Sequence, residues 1–162
     1  MRLFSLALIA AALGAQESPK EAKVSTPGGE LRYLYAATSA GSAPLLFLLP
    51  GNMDDPSVRK LFAQWQPMAA ARGWNFAVPI VAGVSDQAVK ALDLVLADAK
   101  KRLPGVDQDR VYLAGQGVST PEVFYTLSRA PDLWAAGLAI QGSPAPAINS
   151  SHSFAPGTTS ST

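Results

Sequence analysis

Two continuous apolar runs constrain the fold most. Pro44–Leu49 reads PLLFLL and Asn75–Val81 reads NFAVPIV, each flanked by Gly or Pro. A strand apolar at every position has both faces covered, which is the mark of a parallel sheet with helices on either side. The segment between the two runs reads as helix. Asp54, Asp55 and Pro56 open it, with Pro at the first helical position, and Val58, Leu61, Phe62 and Trp65 follow at helical spacing. Pro67 is expected to break this helix and open a second short one closed by Gly73. Ser85 and Asp86 open the clearest helix, with a stripe of Ala88, Leu92, Val95, Leu96, Ala99 and Leu103 and with Lys100, Lys101 and Arg102 in its last turn.

Around this centre the alternation continues. Glu30–Ala37 alternates and suits an outer antiparallel strand. Arg110–Ala114 reads as a strand, Thr120-Pro121-Glu122 opens a helix, and Leu133–Gln141 reads as a last strand. The order β, β, α, β, α, β, α, β argues an α/β class with a doubly wound, mostly parallel sheet.

The two ends differ from this middle. Met1-Arg2, the apolar stretch to Leu13 and the small residues Gly14-Ala15 have the layout of a secretory signal peptide cleaved after Gly14 or Ala15. The apolar run is too short for a stable membrane anchor. Residues 16–29 form a polar segment ending in the turn former Pro27-Gly28-Gly29. Residues 30–141 are the folded domain. Residues 142–162 are rich in Ser, Thr, Pro and Gly and read as a flexible tail. The expectation is an exported protein, periplasmic or secreted, with no membrane attachment once the leader is removed.

Charge and residue counts remove several function classes. Lys and Arg number 13 against 12 Asp and Glu, and Arg2 leaves with the leader. Such a balance lacks the basic excess of an electrostatic nucleic-acid binder. With no Cys, there is no thiol nucleophile, Cys zinc site or redox dithiol; with one His, there is no multi-histidine metal site. No cofactor is implied.

The run Val106-Asp107-Gln108-Asp109-Arg110-Val111-Tyr112-Leu113-Ala114-Gly115-Gln116 resembles the approach to the nucleophile elbow of α/β-hydrolases. It resembles especially that of secreted esterases of the polyhydroxybutyrate-depolymerase-like or phospholipase/carboxylesterase-like branch. Ala130-Pro131-Asp132-Leu133-Trp134-Ala135-Ala136 resembles that family's lead-in to strand six. Leu45–Asn52 resembles its third strand and the loop that supplies an oxyanion-hole amide. The likeness covers roughly residues 30–148 and implies a partial α/β-hydrolase fold that ends before strands seven and eight.

The resemblance also locates the chemistry. The elbow holds a Ser hydroxyl above the sheet on a sharp strand-to-helix turn, flanked by small residues. The matching pentapeptide is Gly115-Gln116-Gly117-Val118-Ser119, which places Gly117 at the nucleophile position and leaves the elbow degenerate. Ser119 is a weak substitute two residues past the apex, where its hydroxyl is expected to bond backbone amides. The family's acid and His follow later strands, so the triad is not intact here; His152, in the tail, is the single histidine candidate. Pro50, Gly51 and Asn52 are the oxyanion-loop candidates by place, without the His-Gly-Gly of many members; a vestigial anion-binding turn and a plain strand end are equally open readings.

Two further readings are weaker. Asn52, Asp54 and Asp55 read as a helix-capping cluster rather than a calcium site. Gly115-x-Gly117 lacks the third glycine of a dinucleotide fingerprint, Thr120 holding its place.

Three functions compete. The first is an exported relative of carboxylic-ester hydrolases that is catalytically impaired. The second is a non-catalytic module on the same fold that binds a small ester or carboxylic acid at the carboxyl ends of the strands. The third is a fragment of a longer esterase-like protein, whose edge strand Leu133–Gln141 invites pairing or aggregation. The oligomeric state is not legible.

Overall fold

The computed structural model describes residues 18–38, 41–80, 85–103 and 105–142. The expected leader at residues 1–15 and the expected tail beyond Gly142, with His152, lie outside the described residues.

Eight main elements follow in chain order: β1 (Lys20–Thr26), β2 (Gly29–Ala36), β3 (Ala43–Leu49), α1 (Asp55–Ala71), β4 (Asn75–Pro79), α2 (Asp86–Arg102), β5 (Val106–Gln116) and α3 (Thr120–Arg129). A ninth, β6 (Ala136–Ile140), closes the described part. Short 3₁₀ turns at Gly117–Ser119 and Pro131–Leu133 lead into α3 and towards β6. The six strands form one sheet in the order β1-β2-β4-β3-β5-β6. β1, β2 and β4 pair antiparallel, while β4, β3, β5 and β6 run parallel.

The apolar run at β3 is explained by its place. Leu45, Phe47 and Leu49 face α2 and Val123 of α3, whereas Leu46 and Leu48 face Val58, Leu61 and Phe62 of α1. Both faces are therefore dry, and all seven residues of the strand are buried.

Three sequence expectations need correction. Residues 20–26 belong to the sheet, not to a polar segment ahead of it. Only Ala22 is fully buried there, and Val24 is half-buried, because β1 is an edge strand with one face in water. Pro67 does not break α1, which runs unbroken past it. The proline sits on the exposed side, and burial of Gln66 and Ala69 around it holds the helix together. The last strand is shorter than Leu133–Gln141, since Pro131 to Leu133 are spent on the 3₁₀ turn.

Tyr33 ties sheet to helix. It is fully buried in β2 and donates its hydroxyl to Asp98 Oδ2 of α2 at 2.7 Å; Asp98 also accepts from Arg102 Nε at 2.6 Å. Burial pushes the Asp98 carboxyl up, but the Arg102 and Tyr33 hydrogen bonds outweigh it and hold the group below the usual carboxylate range. A lowered folded pKa gives stability that is complete above the ordinary carboxylate pKa and is lost as pH falls through the folded value. Tyr33→Phe is therefore expected to cost about 1.5 kcal/mol at neutral pH, the scale of a hydrogen bond to a charged group. That difference should shrink as pH falls below the ordinary carboxylate range, where Asp98 takes up its proton. Denaturation curves of both proteins at neutral and acid pH check it; a pH-independent difference would mean that the hydroxyl contributes through packing alone.

Candidate active site

The site is built where β5 turns into α3. Gly115 ends the buried stretch of β5 and sits tightly against that helix: a Cβ there would lie 2.6 Å from Val123 Cγ2 and 2.8 Å from Ser119 Oγ. Only a residue without a side chain lets the strand and the helix approach so closely. Gly117 forms the apex with φ 60, and a Cβ there would meet nothing within 4 Å. The apex is thus a left-handed turn whose missing side chain would project into open space.

Ser119 is placed differently. It is 1% exposed, its hydroxyl accepts from the Gln116 backbone N–H at 2.8 Å, and it donates to the Gln116 carbonyl at 3.1 Å. Donor and acceptor are both used in holding the turn closed. Val118, between apex and Ser119, is 73% exposed. Gln116 reaches sideways, donating from Nε2 to Gln141 Oε1 at 3.3 Å, and Thr120 Oγ1 donates to the Ile140 carbonyl at 3.4 Å. These bonds bring the end of β6 against the elbow.

The loop after β3 comes to the same place. Pro50 and Gly51 are buried, and Asn52 and Met53 are exposed. Gly51 has φ 64, and a Cβ on it would stand 3.1 Å from Val118 Cγ2 and 3.4 Å from Ser119 Cβ. Pro50-Gly51-Asn52 therefore lies beside the elbow. Between loop and elbow is a cavity of about 350 Å³. Leu48, Leu49, Met53 and Leu61 give it apolar walls, Gln64 and Gln116 give it amides, and Gly117 and Val118 close it.

The acidic residues near the loop are already engaged. Asp54 accepts from the Ser57 N–H at 3.1 Å and caps α1, and these hydrogen bonds from Ser57 hold its carboxyl below the usual range. Asp55 is paired with Arg32 at 3.1 Å and with Arg59 at 3.2 Å. Both arginines also reach Glu21, at 3.2 Å and 2.5 Å. This four-charge network fastens the start of α1 to the β1–β2 hairpin and so fixes the loop before it. Among the described residues no group of three or more His, Asp or Glu is arranged to hold a metal ion. Glu122 is buried in α3, and Asp132 is exposed in the turn before β6.

Some of the site escaped the sequence reading. Leu61 and Gln64 line the cavity from α1, and their helical spacing marks one face without saying what it faces. The Asp55–Arg59 pair is legible as an (i, i+4) spacing. Glu21 and Arg32 join it only through the hairpin.

Sheet order, crossovers and elbow define an α/β-hydrolase fold, present here over six strands. No family model matches the sequence, and no curated protein matches it. Among solved structures the chain is similar to the acylaminoacyl peptidase of Pyrococcus horikoshii, at TM-score 0.60 and 14% identity over 76% of this chain and 22% of that one. It is also similar to the S-formylglutathione hydrolase FrmB of Staphylococcus aureus, at 0.60 and 13% over 84% and 63%. The enterobactin esterase of Shigella flexneri aligns at 0.56 and 19% over 76% and 36%. These neighbours are α/β-hydrolases. At such identity the likeness establishes the fold, and the chain spans about a fifth of the length of the peptidases that it matches.

Proposed function

We propose that this chain is an exported α/β-hydrolase-fold protein, related to carboxylic-ester hydrolases, whose elbow binds a small ester or carboxylic acid without turning it over. One observation carries the reading: the nucleophile position is Gly117, in the left-handed conformation of an elbow apex and with no side chain to attack a carbonyl. The cavity beside it keeps apolar walls and sits between the elbow and the oxyanion-type loop. Ser119 is no replacement, because its hydroxyl is buried and bonded at both its donor and its acceptor side. Export rests on residues 1–15 and places the work outside the cytoplasm.

The test uses chain recovered from outside the cytoplasm of an expressing cell, with an N-terminus at Ala15 or Gln16. Short p-nitrophenyl esters should show no hydrolysis above the blank, while amide resonances of residues 48–53 and 116–118 shift saturably with a small ester or acid. Turnover that disappears in Ser119→Ala would restore the enzyme reading. Gly117→Ser supplies a hydroxyl where a Cβ has room, at the cost of a strained φ of about 1–2 kcal/mol. It is expected to remain inactive, since a hydroxyl without a positioned base is a weak nucleophile. The single histidine, His152, would have to serve as that base, and hydrolysis by Gly117→Ser would mean that it does.

A further inference from the structure

A second, larger cleft lies away from the elbow, between the β1–β2 turn and the first half of α2. It has a volume of about 560 Å³, within the range of small-molecule sites. Leu31, Ile80, Ala91 and Leu94 form its apolar surface, Gln87 stands beside the turn at Gly28, and Lys90 is the single charged residue among the described residues that line it. Leu94 is 38% exposed although it is a large apolar side chain. Of the neighbouring carboxylates, Glu30 pairs with Lys23 at 2.7 Å and Asp86 with Tyr125 and Arg129, while Asp93 shares an adjacent, smaller cavity with Lys90 and does not line this one. Lys90 has no ion pair or hydrogen bond among the described residues.

An apolar trough with one uncommitted cation at its rim is complementary to a molecule with an alkyl body and a single negative end. The two parts act through different physics. Apolar burial contributes most of the attraction, growing with each methylene removed from water. The cation adds orientation and a smaller increment at a partly exposed site. Charge selects against cationic amphiphiles, and the chain length selects against small anions.

We propose that this cleft binds a medium-chain alkyl carboxylate, with its chain over Leu31, Ile80 and Leu94 and its carboxylate at Lys90. The proposal is independent of the elbow reading, because no described residue lines both cavities.

The probe is sodium decanoate, below its micellar concentration, added to the isotope-labelled chain and followed by two-dimensional amide spectra. Saturable shifts are expected at residues 26–31 and 85–94. Acetate, which has the charge without the chain, should not saturate. Decanol, which has the chain without the charge, should bind about fivefold more weakly, the upper range for an exposed ion pair. Lys90→Gln should reduce decanoate affinity by a similar factor and leave decanol unchanged. Ala91→Phe fills the trough and should abolish binding with the remaining spectrum intact. Shifts confined to residues 48–53 and 116–118 would place the ligand at the elbow and overturn the proposal. Equal affinity of Lys90→Gln and the parent chain for decanoate would also overturn it, as would no saturation at millimolar ligand.

Discussion

Phe47→Ala should remove about 3–5 kcal/mol of stability, the usual cost of truncating a buried aromatic side chain. Phe47 is at the middle of β3, a strand with parallel partners on both sides, opposite Ala77 of β4 and Leu113 of β5. It is fully buried, and its ring meets the Trp134 ring edge-on at 5.8 Å. The substitution would therefore leave a void under α2 and loosen the residue that leads into β6. Domains have only about 5–15 kcal/mol of net stability, so a loss of this size should be visible as a large fall in the urea midpoint with an unchanged slope. Val118→Ala is the control: at 73% exposure it should stay within about 0.5 kcal/mol of the parent chain. A Phe47→Ala loss below ~1.5 kcal/mol would mean that the core around β3 collapses to fill the gap.

The same strand explains why so much of the fold was legible. PLLFLL has no polar residue to place, so both faces must be covered, and that alone points to a central parallel strand. The stripe of α2 was equally clear, and its members Leu92, Val95, Leu96 and Ala99 all lie in the core. Legibility fell where one face meets water. In KEAKVST only Ala22 and Val24 turn inward, a signal too short to separate a strand from a polar lead-in. Pro67 misled because the rule concerns an isolated helix, whereas tertiary burial at Gln66 and Ala69 offsets one lost hydrogen bond.

The elbow was legible for a different reason. Its conformation needs small residues at set spacings, so Gly115 and Gly117 can be read without coordinates. The left-handed φ of Gly117 and the crowding at Gly115 give the physical basis for that pattern. What spacing cannot give is which distant loop arrives. The packing of Gly51 against Val118 depends on where β3 and β5 end in register, with Leu49 opposite Gly115. The cleft under Lys90 was invisible for the same reason, since it joins a hairpin turn to a helix more than fifty residues away in sequence.

Leu138→Lys should weaken self-association of the purified chain about tenfold or more. The two edges of the sheet are built differently. β1 carries Lys20, Glu21 and Lys23, charges that discourage another strand from pairing. β6 reads AGLAI, with no charge, no proline and no bulge in its pairing with β5. Its partner register puts Leu138 on the same face as Ala114, the face that α1 covers over β2 and β4. Over β6 that cover is missing among the described residues, and Leu138 is 51% exposed. A second strand laid along β6 would satisfy its outer backbone groups and shield this leucine at once. Burial of one leucine is worth about 1.5–3 kcal/mol, which is a tenfold to hundredfold change in an association constant. A lysine there removes that gain and adds a charge to the edge, while costing little in the isolated fold because the position is half in water. Sedimentation velocity over a hundredfold concentration range reads the result. Parent chain that sediments as a monomer throughout would show that β6 is a quiet edge; association unchanged by Leu138→Lys would place the contact on another surface.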